Sequence, residues 1–154
     1  EVGLPDFSQG KFLFLEDVQD PGNVGTMIRT ADAASFTGVI VSDKSADIYS
    51  LKTLRSMQGS HFHLPIYRMS LASFVEEAKK SNLPILATTL SKESKDYREL
   101  SPLKNFALVM GNEGQGISSV MAESADQLVH IGMKGRAESL NVAVAAGILM
   151  FYFS

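Results

Sequence analysis

The chain has no cysteine. Disulfide frameworks and thiolate-held metals are therefore excluded, and a reducing cytoplasm is the expected compartment. Long apolar runs are also missing. The longest, residues 142–153, falls well short of the roughly 20 residues that a membrane-spanning helix needs. An excess of positive charge is lacking too: 14 Lys and Arg stand against 17 Asp and Glu, net −3. That balance argues against indiscriminate nucleic-acid binding while leaving room for a local basic face. No secretory leader is visible, and the opening "EVGLPDF" has no initiating Met. The chain is therefore expected to be an excised or processed domain, with any upstream module lying outside it.

What is present suits a single domain over residues 1–154, long enough to bury a substantial core. Apolar runs alternate with helical stretches. "KFLFLE" (11–16), "GVIVS" (38–42), "HFHLPIY" (61–67), "PILATTL" (84–90), "FALVMG" (106–111) and "QLVHIGM" (127–133) read as strands. Residues 24–35, 51–57, 117–123 and 139–153 read as helices. "SLASFVEEAKKSN" is an amphipathic helix with Ser70 as its N-cap. Strands this apolar on both faces belong in a parallel sheet covered by helices, an α/β fold. The polar "SKESKDYRELSPLK" (91–104) reads as a long surface loop.

Ligands settle at the carboxyl ends of strands in such sheets, and three loops there stand out. In "LEDVQDPGNVGTMIRTADAASF" (15–36), Gly22 and Gly25 permit close approach to the backbone. Asn23 sits where an N-cap would fall, and Arg29 shares a helix face with Gly25. A capped helix with a surface arginine explains the same residues. In "VMGNEGQGIS" (109–118), Gly111, Gly114 and Gly116 would free N–H groups at a helix start. The spacing is neither the dinucleotide fingerprint nor a Walker loop, and Glu113 would repel a polyphosphate. Glu113 as a partner of the following helix dipole is the alternative. In "HIGMKGRAESLNVAVAAGILMFYF" (130–153), Ser139 is a candidate N-cap of a helix apolar all round. Asn141 is its polar misfit and needs partners. His61 and His63 form an H-x-H pair without a third ligand nearby, so no metal is expected. His130 reads as a satisfied core residue.

"NVGTMIRTA" (23–31), "MGNEGQGI" (110–117) and "IGMKGRAESLNVAVAA" (131–146) resemble, in order and separation, motifs 1, 2 and 3 of the SpoU (TrmH-type) RNA methyltransferases of the SPOUT superfamily. "LRSMQGSHFHLP" (54–65) is similar to the family's segment between its second and third strands. The resemblance implies a C-terminal trefoil knot, S-adenosyl-L-methionine as cofactor, a homodimer, and methylation of a ribose 2′-hydroxyl of rRNA or tRNA. Carried over, the family's invariant positions fall on Asn23, Arg29, Glu113, Ser139 and Asn141. Cofactor contacts fall on Gly111, Ile131 and Leu140, with Thr89, Leu90 and Met133 lining the same cleft. Gly132 stands where most members have proline, which should loosen the strand end, and Leu51 also replaces a frequent proline.

The implied chemistry places a hydroxyl about 3 Å from a sulfonium methyl and helps remove its proton. Free arginine is too basic to serve as an ordinary base. Arg29 is then either perturbed, with a substrate phosphate taking part, or a clamp for the phosphate and the developing alkoxide, the role favoured on physical grounds. Glu113 would orient Arg29 or Asn23. Lys52, Arg55, Arg68, Lys134 and Arg136 are candidates for an RNA-facing patch. A catalytically silent RNA-binding module that keeps the fold is the alternative; a nucleotide-dependent oxidoreductase fits the glycine spacing poorly.

Overall fold

A computed structural model of the chain describes residues 4–136 and 140–154. Seven parallel strands form one sheet: β1 (Lys11–Leu15), β2 (Gly38–Val41), β3 (Ile66–Arg68), β4 (Ile85–Thr88), β5 (Lys95–Asp96), β6 (Phe106–Met110) and β7 (Gln127–His130). Their order is β3-β2-β1-β6-β4-β7-β5. Helices α1 (Pro21–Ala33), α2 (Leu51–Met57), α3 (Leu71–Lys80), α4 (Ser119–Ser124) and α5 (Val142–Phe153) cover it.

The apolar strands explain the layering. Successive side chains leave a strand on opposite faces, so β1 sends Leu13 and Leu15 into one core and Phe12 and Phe14 into another. The first core meets α1 and α5 through Met27, Ile28, Ala146 and Leu149. The second meets α3 and α4 through Phe74, Ala78 and Met121. Phe14 stacks on Phe74 with ring centroids 4.2 Å apart, a pairing worth about 1 kcal/mol beyond burial. Ser70 Oγ caps α3 by accepting from the Ser73 N–H.

Several boundaries depart from the sequence reading. Helix α1 begins at Pro21, and its N-cap is Asp20, whose carboxylate accepts from the Gly22 N–H at 2.8 Å. Pro at the first helical position needs no N–H partner there, so Asn23 lies inside the first turn, free to point elsewhere. Helix α5 is capped by Asn141; Ser139, expected as that cap, lies outside the described residues. Segment 91–104 is not a plain loop. It contains β5, paired with β7, and a 3-10 turn at Tyr97–Glu99 closed by an Asp96/Glu99 capping box. His61 ends up in the 3-10 turn Ser60–Phe62 and His63 just after it, not on a strand. The C-terminal segment expected to form the knot includes residues 137–139, which lie outside the described residues.

Candidate active site

The first glycine turn is shaped by the chain itself. A Cβ on Gly25 would lie 2.4 Å from Ser56 Cβ and 2.6 Å from the Thr53 carbonyl oxygen. What approaches this backbone is therefore α2, not a ligand. Gly111 is similar: its added Cβ would sit 2.3 Å from the carbonyl carbon of Gly116. The loop after β6 folds back so that Asn112 and Gly116 exchange backbone hydrogen bonds of 3.1 and 2.8 Å. Asn112 Oδ1 accepts from the Gly114 and Gln115 N–H groups, and its Nδ2 donates to the Asp17 carbonyl at 2.8 Å. The Gly114 and Gly116 N–H groups expected to be free there are thus used within the loop.

That folding aims Glu113 at the start of α1. Its carboxylate accepts from the Gln19 N–H (3.2 Å), the Asp20 N–H (2.9 Å) and the Asn23 side-chain amide (3.3 Å). Burial alone would push its carboxyl up, but the Asp20, Glu113 and Gln19 backbone N–H groups and Asn23 outweigh that and hold it below its usual range. Glu113 thus complements the dipole of α1 rather than that of the helix following it. Asn23 Oδ1 in turn accepts from Asn141 Nδ2 at 3.3 Å, while Asn141 Oδ1 caps α5 through the Ala143 and Val144 N–H groups. Three motif residues, Glu113, Asn23 and Asn141, form one hydrogen-bonded chain linking three loops. Asn141 has the partners its position demands.

Beside this chain lies a cleft of about 580 Å³ at the carboxyl ends of β4, β6 and β7, within the roughly 300–1,000 Å³ of small-molecule sites. Thr89 and Leu90 form one wall, Gly111 and Glu113 another, Ile131 and Met133 a third, and Leu140 closes it. Among the described residues lining it there is no Lys or Arg, so a polyphosphate would find no counter-charge. His130 lines it as well, its Nδ1 2.8 Å from Ser94 Oγ, a polar anchor rather than a core residue. Gly132 does not loosen the wall: its N–H, which a proline would lack, donates to Asp96 Oδ2 at 3.1 Å.

Arg29 is exposed on α1 and does not line this cleft. Six residues, a rise of about 9 Å, separate it from Asn23. It follows Gly25 on the side of α1 that packs against α2, and its guanidinium has no partner among the described residues. Of the other cations, Arg68 is a structural staple donating to the Ser42 and Ala46 carbonyls at 2.7 and 3.2 Å. Lys52 lies 3.9 Å from Asp20, while Arg55, Lys134 and Arg136 are exposed. Among the described residues, no group of three or more His, Asp or Glu could hold a metal ion. His63 instead faces Asp32 at 3.4 Å. No helix among the described residues is long and apolar enough to cross a membrane. Sequence reasoning missed Asp96 and Asn112; the Asp96/Glu99 spacing of a capping box was the available signal for the first.

Residues 10–151 match the model of the SpoU rRNA methylase family. The chain is 47% identical over 142 residues to the 23S rRNA (guanosine(2553)-2′-O)-methyltransferase RlmP of Bacillus subtilis, covering 92% of this chain and 57% of that protein. Among solved structures, an AdoMet-bound rRNA methyltransferase from Sinorhizobium meliloti superposes with TM-score 0.88 at 40% identity, over 92% of this chain and 54% of the other. The AdoMet complex of the SpoU methyltransferase AviRb from Streptomyces viridochromogenes gives TM-score 0.81 at 33% identity, over 97% and 58%. The chain thus spans little more than half the length of these three relatives, and it belongs to the SpoU rRNA methylase family.

Proposed function

We propose that this chain is the catalytic domain of an S-adenosyl-L-methionine-dependent RNA methyltransferase that modifies a ribose 2′-hydroxyl in rRNA or tRNA. One observation carries the reading: the cleft at the ends of β4, β6 and β7 is lined by Glu113, which is hydrogen-bonded to Asn23 and through it to Asn141. The donor fits its chemistry. Apolar walls suit an adenine and a methionine chain, the lack of Lys and Arg suits a ligand without phosphates, and the ionised Glu113 complements a cationic sulfur. When bound, the cofactor supplies an electrophilic methyl carbon. Thr89, Leu90, Gly111, Ile131, Met133 and Leu140 would hold it.

The chain's own groups do the rest. Asn23 and Asn141, already bonded to each other, present amide groups to ribose or phosphate without adding charge. Ser139, two residues before Asn141, belongs to the same proposed set. Glu113 keeps Asn23 oriented. Arg29, with no internal partner among the described residues, is available to clamp an RNA phosphate and stabilise the oxygen that loses its proton. Exposed Arg55, Lys134 and Arg136 add positive charge for the RNA backbone. A silent RNA-binding module would have little use for a cleft without basic side chains.

The reading extends to a trefoil-knotted C-terminus, a cytoplasmic homodimer and an upstream RNA-selecting domain. Helix α5 supports the dimer, because Val144, Ile148 and Phe151 leave an apolar stripe exposed on a helix otherwise sunk into the core. Incubating the full protein with methyl-labelled cofactor and total RNA should place label in nuclease-resistant 2′-O-methyl nucleosides. Retained cofactor binding without any RNA labelling would favour the silent module. The Arg29→Ala variant should lose about 10²–10³-fold in transfer rate with calorimetric cofactor affinity unchanged; a parallel loss of affinity would overturn the role given to Arg29.

A further inference from the structure

Two walls of the cleft, at Leu90 and at residues 130–133, are joined by the segment running from Ser91 to Glu99. This segment is tied to the second wall at successive points. Ser94 Oγ sits 2.8 Å from His130 Nδ1, and β5 pairs with β7 at Lys95–Val129 and Asp96–His130. Beyond the pairing, the Gly132 N–H donates to Asp96 Oδ2. Among the described residues, that is the one hydrogen bond donated by residues 131–136.

The acceptor is unusually well fixed. Arg98 grips Asp96 with both arms, Nε to Oδ1 and Nη2 to Oδ2, each at 2.9 Å. Asp96 Oδ1 also caps the 3-10 turn through the Arg98 N–H at 3.0 Å. These bonds, the Arg98 side chain first, hold the Asp96 carboxyl far below its usual range, so it stays a charged acceptor. The turn is anchored in the core: Tyr97 meets Tyr152 edge-on at 4.9 Å, and the Tyr152 hydroxyl donates to the Leu100 carbonyl at 2.6 Å. Gly132 matches the arrangement from the other side. A Cβ there would lie 2.5 Å from Asp96 Oδ2, so a side chain would displace the carboxylate.

We infer that Asp96, clamped by Arg98, is a positioning residue for cofactor binding: it hangs the Ile131–Met133 wall from the α5 side of the core and sets the cleft's shape before the ligand arrives. This rests on the cofactor reading proposed above. It assigns Gly132 a matching role as the residue that both donates the N–H and leaves room for the acceptor. The wall is then preorganised from outside, and the cofactor need not order it on binding.

Titration of the full protein with S-adenosyl-L-homocysteine tests this, alongside amide exchange at Gly132 in the ligand-free protein and thermal melting as a check on folding. Asp96→Ala should weaken binding about tenfold, the scale of one hydrogen bond to a charged group. The KM for the methyl donor should rise with it, while kcat at saturation stays near wild type. Gly132 exchange should accelerate in the same variant. Asp96→Asn, which keeps an acceptor oxygen, should recover most of the affinity. Gly132→Pro should weaken binding as Asp96→Ala does, and the double variant should be no worse than either single one. Unchanged affinity and unchanged Gly132 exchange in Asp96→Ala, or single losses that add in full, would overturn the inference. Should the wild-type protein bind no ligand, the cofactor reading fails and this role falls with it. Wild-type binding with an indifferent Asp96→Ala removes only the brace.

Discussion

The loop after β6 and the wall after β7 face the same cleft but are built in opposite ways. Residues 111–118 are tied down by many hydrogen bonds: Asn112 engages the Gly114 and Gln115 N–H groups, Gly116 and the Asp17 carbonyl, and the Ser118 N–H donates to Glu16. Residues 131–136 donate, among the described residues, a single hydrogen bond, to a side chain from another segment. The first loop is a rigid pedestal that aims one carboxylate. Among the described residues the second's other backbone N–H groups have no partner, which suits a ligand read through main-chain atoms. Glycine content alone would have assigned these roles the other way round.

Exchanging single residues can break that contrast. The largest effect is expected from Gly111→Ala, because its Cβ meets the Gly116–Ile117 backbone at 2.3–2.4 Å and backbone cannot step aside cheaply. A loss of about 3 kcal/mol or more in denaturant unfolding is expected. Asn112→Ala should follow, at roughly 2–3 kcal/mol, by orphaning several loop N–H groups. Acid sharpens the comparison on its charged side. Glu113 and Asp96 both have depressed carboxyl pKa values in the folded chain. Their stabilising contribution is present in full above the ordinary carboxylate range of about pH 4 and is lost below it, as the folded-state groups take up protons. Melting temperature should therefore hold from neutrality to about pH 5 and decline below; in Asp96→Asn the acid decline should be shallower. The smallest effect belongs to Gly135→Ala, whose Cβ would meet nothing within 4 Å. It should stay within about 0.5 kcal/mol of wild type.

The strands were legible because each carries its own signal: β1 alternates Phe and Leu toward two cores, and both are apolar. Ser70 announced α3 by a local rule. Family motifs pointed to Glu113, Gly111, Ile131 and Leu140, which line the cleft, and to Arg29, which does not, although composition and spacing left structural explanations open for the motif residues. What stayed hidden was long-range. Nothing near Gly25 in sequence shows that Ser56 lies against it, and nothing near Gly111 shows the loop turning back at Gly116. Two-residue β5 is polar, so it gives no apolar signal, and its pairing with β7 spans more than thirty residues. Arg68 looked like an RNA contact because its carbonyl partners, Ser42 and Ala46, follow an earlier strand.

The strand order carries one more consequence, for how the chain is made. β6 lies between β1 and β4, so the sheet is joined across its middle by one of its late strands. Until residues 106–110 have emerged from the ribosome, the β1–β2–β3 leaf and β4 have no shared partner, and each exposes an unpaired apolar edge. Synthesis at about 5–20 residues per second leaves those edges open for seconds. Maturation of this domain is then a race between insertion of its sixth strand and capture of the waiting edges by other chains.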